Sequence, residues 1–138
     1  MSGPPRIVVV AAVVERGGRI LLGQRCGGSL DGLWEFPGGK REVGESDAQA
    51  LRRELREEIG IEVRPGALLH TVRDGVREIR FYRAAYPGGG RPRPLECAQI
   101  RWVRRGDLAT LDFPAPNVPL VRALARGDHP PPAAGTLS

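Results

Sequence analysis

The sequence predicts a three-layer α/β/α sandwich, an α/β (α+β) fold in which helices cover both sides of a mixed sheet. Three observations point there. Residues 7–14 (IVVVAAVV) form an unbroken apolar, β-branched run, as a strand buried on both faces requires. Residues 46–59 form one sharply bounded amphipathic helix. The remaining patterns follow the order β, β, helix, β, β, β, helix, which suits helices packed on two sides of a sheet. A chain of 138 residues fits one domain, expected over 1–128, with a disordered tail over 129–138 (HPPPAAGTLS).

Taken in chain order, Gly17-Gly18 predicts a hairpin turn from the first strand into a second over 19–25. Residues 27–32 read as a loop, and Leu33-Trp34-Glu35-Phe36 as a short apolar piece. Pro37-Gly38-Gly39 is then expected to stop any regular element. In the helix, Ser46 with Gln49 three residues later makes a capping box, and Gly60 supplies the C-terminal glycine. Ala48, Leu51, Leu55 and Ile59 are expected to face the core, with Gln49, Arg52 and Arg56 toward solvent. Further strands are expected near 61–64, 67–73, 77–86 and 99–104, and alternation sends one of Phe81 and Tyr82 into the core. Residues 87–94 (PGGGRPRP) read as an exposed connection. Val118, Val121, Leu124 and Ala125 recur at helical spacing, placing a second helix over 117–126.

Composition narrows the class. The hydrophobic share of 41% and charged share of 27% are those of an ordinary globule, and no apolar run is long enough to span a membrane. The first apolar run is followed by Glu15 and Arg16 instead of a small-residue cleavage site, so a cytoplasmic location is expected. Cys26 and Cys97 give neither a disulfide framework nor metal-ligand spacing. His70 and His129 have no partner at ligand spacing either. The net charge is +5, and of 21 basic residues only Lys40 is a lysine. The arginines are interspersed with acids, so a solvated surface is expected and no stable nucleic-acid complex. A mildly basic protein suits a small polyanionic substrate.

The chemistry concentrates in the helix. At about 100 degrees per residue, Glu54, Glu57 and Glu58 share one arc. Neighbouring carboxylates there repel by about 0.2–0.5 kcal/mol per pair. Taken alone, the helix could be a solvated face whose glutamates pair with Arg52, Arg53 and Arg56. The preceding Gly38-Gly39 turn, with Glu42 and Glu45, favours another reading. Such a turn can bring backbone carbonyls beside the acids, and a hard divalent cation with oxygen ligands would offset the repulsion.

Residues 39–61 resemble the signature of the Nudix hydrolase family. Gly39, Glu45, Arg53-Glu54-Leu55, Glu57-Glu58 and Gly60-Ile61 fill every fixed position of that motif. The resemblance implies a loop–helix–loop on an α/β/α sandwich, a requirement for Mg2+ (or Mn2+), and cleavage of a nucleoside diphosphate linked to another group. It also implies Glu54, Glu57 and Glu58 as metal ligands, joined by the Gly38 carbonyl, with Arg53 orienting a motif glutamate. Either Glu54 or Glu96 would be the general base. Members that only bind nucleotides usually lack motif glutamates, and none is missing here.

The flanks are similar to the MutT branch, which removes 8-oxo-dGTP and so protects DNA replication and repair from oxidised guanine. The residues concerned are Leu33-Trp34-Glu35-Phe36-Pro37-Gly38-Gly39-Lys40 and Asp112-Phe113-Pro114-Ala115-Pro116-Asn117. This likeness implies Arg25, Glu35, Phe36, Pro37, Gly38 and Asn117 as substrate-binding residues, and Glu96 as a further acid beside the metal. Asn117 can read a base edge because its amide both donates and accepts; it could equally cap the helix that follows. The glycine-rich stretch 26–32 and Val118 depart from MutT, so a neighbouring branch acting on CTP, dCTP or modified pyrimidine triphosphates stays open. A small nucleotide is the expected partner, without a membrane, for a monomer or homodimer.

Overall fold

The computed structural model of the chain describes residues 3, 5 and 7–130. Its centre is strand β1 (Ile7–Val13), whose apolar run serves two cores at once. Val8, Val10 and Ala12 face one side with Val14, and Ala11 and Val13 face the other. A strand with no polar face can sit only between two layers, as the sequence pattern requires. β1 pairs in parallel with β7 (Arg77–Ala85) and antiparallel with β5 (Gly38–Lys40). β6 (Arg64–Asp74) closes the other edge against β7, giving a mixed sheet in the order β5-β1-β7-β6.

A second, antiparallel sheet is built around β3 (Arg19–Gln24), which pairs with β2 (Glu15–Arg16), β4 (Trp34–Glu35) and β8 (Gln99–Arg104). Gly17 and Gly18, both at positive φ (60° and 75°), make the β2–β3 turn. Helix α1 (Asp47–Glu58) covers one face, and α2 (Val118–Ala125) covers the other with a 3-10 turn over Arg105–Thr110. The layers are therefore α/β/α around a mixed sheet, with the second sheet as an addition to the single sheet expected.

The start of α1 has the local cause read from its sequence. Ser46 accepts from the Gln49 N–H (3.1 Å) while the Gln49 side chain accepts from the Ser46 N–H (2.8 Å). Gly60 follows the helix at φ +79°. Leu51 and Leu55 are fully buried, worth roughly 1.5–3 kcal/mol each.

Three local expectations are corrected. Pro37-Gly38-Gly39 does not end regular structure: Gly38 and Gly39 lie in β5, pressed on β1. A Cβ on Gly38 would collide with the Val10 carbonyl, so glycine here permits close pairing. Residues 61–64 form no strand of their own; Ile61 makes an isolated bridge to Gly90, and β6 begins at Arg64. Ala48 is exposed and Ala50 takes its place in the core, because the buried stripe of α1 is rotated toward Glu54 and Glu58. Of the predicted tail, residues 131–138 lie outside the described residues. The His129 and Pro130 carbonyls accept from Arg83, and Arg105, which grips the buried Glu15, also holds His129.

Candidate active site

Arg53 organises the acidic face of α1. Its Nε and Nη2 donate to the two oxygens of Glu45 (2.7 and 2.9 Å), and Nη1 donates to Glu54 (2.9 Å) and Glu57 (3.0 Å). Nη2 also donates to the Lys40 carbonyl at 3.0 Å. One planar fork thus ties the 40–45 loop, the helix and the end of β5 together. Its hydrogen bonds, assisted by the Glu42 N–H, pull the Glu45 carboxyl down to about 2. The reciprocal bond to Glu45, ahead of those to Glu54, raises the Arg53 pKa in turn.

The three helix glutamates share an arc but not an environment. Glu57 is exposed, Glu54 half-buried, and Glu58 buried at 7% exposure. Gly39 makes room for Glu54: a Cβ at that position would fall within the Glu54 carboxylate. Glu58 accepts from the Gly38 N–H at 3.1 Å. In a strand the N–H and C=O of one residue point the same way, so the Gly38 carbonyl also turns from β1 toward the acids. Burial pushes the Glu58 carboxyl up to about 8, against the Gly38 hydrogen bond and with help from Glu35, Glu54 and Glu96. Burial likewise raises Glu54, opposed by Arg53 and reinforced by Glu57 and Glu96.

Glu96 reaches this face from a distant segment for a clear reason. The carbonyls left free at the end of α1 accept from that segment: Ile59 from the Arg93 N–H (2.8 Å), and Glu58 from the Leu95 (3.0 Å) and Glu96 (3.3 Å) N–H groups. One carboxylate oxygen each from Glu54, Glu57 and Glu96 then lies within 4.8 Å of the others. Glu58 stands beside this trio, against Gly38 of β5.

The residues present fit a hard divalent cation. The donors are all oxygen, the cradle under Glu54 depends on the missing Gly39 side chain, and among the described residues Arg53 is the one ion-pair partner of the clustered charge. Glu54, Glu57 and Glu96, with Glu58 and the Gly38 carbonyl adjacent, are the groups that could hold one.

On the other side of β5 opens a cleft of about 280 Å³. Arg25, Glu35, Phe36, Gly38 and Asn117 all line it, although they are spread over more than ninety positions of sequence. Pro37 does not line it; its carbonyl accepts from the Ala12 N–H (2.8 Å) and fixes the β5 entry. Arg25 donates to Glu35 at 3.2 Å across the mouth. Burial raises the Glu35 carboxyl, with Arg25 opposing the shift. Phe36 stacks on Phe113 (centroids 5.9 Å apart) and meets the edge of Phe81, the fully buried member of the Phe81–Tyr82 pair. Asn117 is buried at the N-cap position of α2, yet its side chain makes no capping bond. Its amide is therefore left for the cleft.

Lys40, Arg77, Ile79, Pro114 and Pro116 also line the cleft and were missed by sequence reasoning. The signal for Pro114 and Pro116 was at hand, since both sit in the segment leading to Asn117. Nothing local marks Arg77 or Ile79, which arrive through the β1–β7 register.

The NUDIX domain model matches residues 4–124. A Mycobacterium tuberculosis protein provisionally named 8-oxo-dGTP diphosphatase 2 is 37% identical over 125 residues, covering 86% of this chain and 88% of that one. The Escherichia coli CTP pyrophosphohydrolase is 62% identical over 61 residues, 44% of this chain and 45% of its own length. A MutT structure from a study of the Aliivibrio salmonicida and Vibrio cholerae proteins superimposes with a TM-score of 0.76 at 36% identity, covering 87% of this chain and 97% of that one.

Proposed function

The chain belongs to the Nudix family as a MutT-like hydrolase, and from that premise we propose that it splits 8-oxo-dGTP, or a close relative, into monophosphate and pyrophosphate with Mg2+ (or Mn2+). The observation that carries this reading is β5, which is a wall shared by two sites. Gly38 and Gly39 line the cleft that holds Asn117, and Gly39 also lies directly under Glu54 of the acid trio. A nucleotide with its base against Asn117 would therefore have its phosphates beside the acids.

A divalent cation bound there supplies neutralisation of phosphate charge and acidification of a water molecule. The chain's own groups do the rest. Arg53 holds Glu54 and Glu57 in place, so little reorganisation is needed when charge develops. Glu54 or Glu96 takes the proton from water, and Glu96 is the more exposed of the two. Arg25 and the Phe36 ring bound the base end, where the Asn117 amide offers one donor and one acceptor.

A second reading, a CTP or dCTP pyrophosphohydrolase, draws on the 62% identity to the Escherichia coli enzyme of that name. Pure protein with Mg2+ and a panel of oxidised-purine and pyrimidine triphosphates in oxygen-18 water separates the readings. Preference for 8-oxo-dGTP supports the first, and preference for CTP or dCTP replaces it. The labelled product identifies the phosphorus attacked.

A further inference from the structure

On β8 and the adjoining end of β3, away from the catalytic cleft, lie arginines that make no ion pair among the described residues. Arg19 and Arg104 are direct cross-strand partners, an arrangement in which like charges repel. Among the described residues neither they nor Arg101 forms an ion pair, whereas Arg25, Arg41, Arg53, Arg80 and Arg105 all do. The three are exposed and line one cleft of about 360 Å³, with Trp102, Asp107 and Thr110. Arg101 lies 5.4 Å from the Trp34 ring centroid, a cation–π contact that restrains its guanidinium before any ligand arrives. β8 pairs only with β3, so outward N–H groups of an edge strand add further donors.

We propose that this cleft is a second anion site, separate from the catalytic one, that takes a short oligophosphate chain. Arg19 and Arg104 stand side by side on one face of the sheet and Arg101 on the other, so their guanidiniums flank the β8 edge from both sides. Such a set matches the several oxygens of linked phosphates, and binding relieves the Arg19–Arg104 repulsion. The cleft is bounded, and Asp107 stands in its wall. The bounded shape favours a small anion over a continuous nucleic-acid backbone. The inference rests on this geometry and holds whichever nucleotide is hydrolysed.

Tripolyphosphate titrated into metal-free protein tests it by calorimetry and by intrinsic fluorescence. The chain has two tryptophans; Trp102 lines the cleft and Trp34 lies under Arg101. The expected result is one saturable event that changes tryptophan emission and weakens with salt. Arg19→Gln combined with Arg104→Gln should weaken it at least about tenfold, with circular dichroism and nucleotide turnover unchanged. Arg25→Gln, in the catalytic cleft, should leave it intact. Absence of saturable binding, equal binding by the double variant, or loss on Arg25→Gln would each overturn the proposal. A single-stranded oligonucleotide binding more tightly than tripolyphosphate through the same arginines would overturn the small-anion assignment. If the double variant does not fold, Arg104→Lys should show intermediate affinity, and unchanged affinity there would count equally against the site.

Discussion

Replacing Arg53 by lysine keeps a positive charge but removes the fork. In the structure one guanidinium makes hydrogen bonds to Glu45, Glu54, Glu57 and the Lys40 carbonyl, all between 2.7 and 3.0 Å. A lysine ammonium has three donors at one point and cannot span that set. Its single point of charge would settle on Glu45, leaving Glu54 and Glu57 unheld. A charge-assisted bond is worth about 1.5–3 kcal/mol when shielded. The Arg53 side chain is 21% exposed and that of Glu57 51%, so the Glu57 share is discounted to below about 1 kcal/mol. About 2 kcal/mol then remains to be lost from the transition state, roughly a thirtyfold fall in kcat. The assay is pyrophosphate release against Mg2+ concentration, with thermal melting alongside. Arg53→Lys should lower kcat by roughly that factor and raise the Mg2+ concentration needed for half-activation, while the protein remains folded. Activity and Mg2+ dependence within about twofold of wild type would refute the role given to Arg53.

Gly39→Ala should reduce activity by at least about tenfold, because its methyl group must displace the Glu54 carboxylate; initial rates and Mn2+ binding by electron paramagnetic resonance would both report it. Asn117→Ala should lose turnover of oxidised guanine selectively, with little change in melting, since the side chain caps nothing; an unchanged substrate profile would remove the assignment. In metal-free protein, Glu58 keeps its proton up to about 8 while the unfolded chain releases it in the ordinary carboxylate range. Stability should therefore fall as pH rises from about 5 to 8, and Glu58→Gln should flatten that slope. Asp47 has the opposite sign: burial raises its pKa, but Tyr82, Arg80 and Arg41 together hold it below its usual value. Its contribution should be lost as pH falls below about 4, a loss that thermal melting of Asp47→Asn should not show.

Helix α1 was legible because its signals are local. A capping box, a terminal glycine and the apolar spacing all lie within one stretch of chain and act through neighbours in sequence. β1 was legible for a similar reason, its apolar run being continuous. β5 was not, since Gly38-Gly39 reads as a breaker until the Val10 carbonyl is seen to require a missing Cβ. The difference between Glu57 and Glu58 was also hidden: both share an arc, and only the rotation of α1 against the core buries one and exposes the other. Glu96 joined the site through hydrogen bonds to the end of α1, a contact that no spacing rule predicts. The cleft residues Arg25, Glu35, Phe36 and Asn117 were found by family likeness, while Arg77 and Ile79 depended on parallel register with β1.

The measurement that bears most directly on the acid-lined site is pyrophosphate release from a nucleoside triphosphate by wild type and Glu58→Gln, with and without Mg2+. Release that requires Mg2+ and disappears in the variant is the predicted result. Release without divalent metal, or equal turnover by Glu58→Gln, would contradict it.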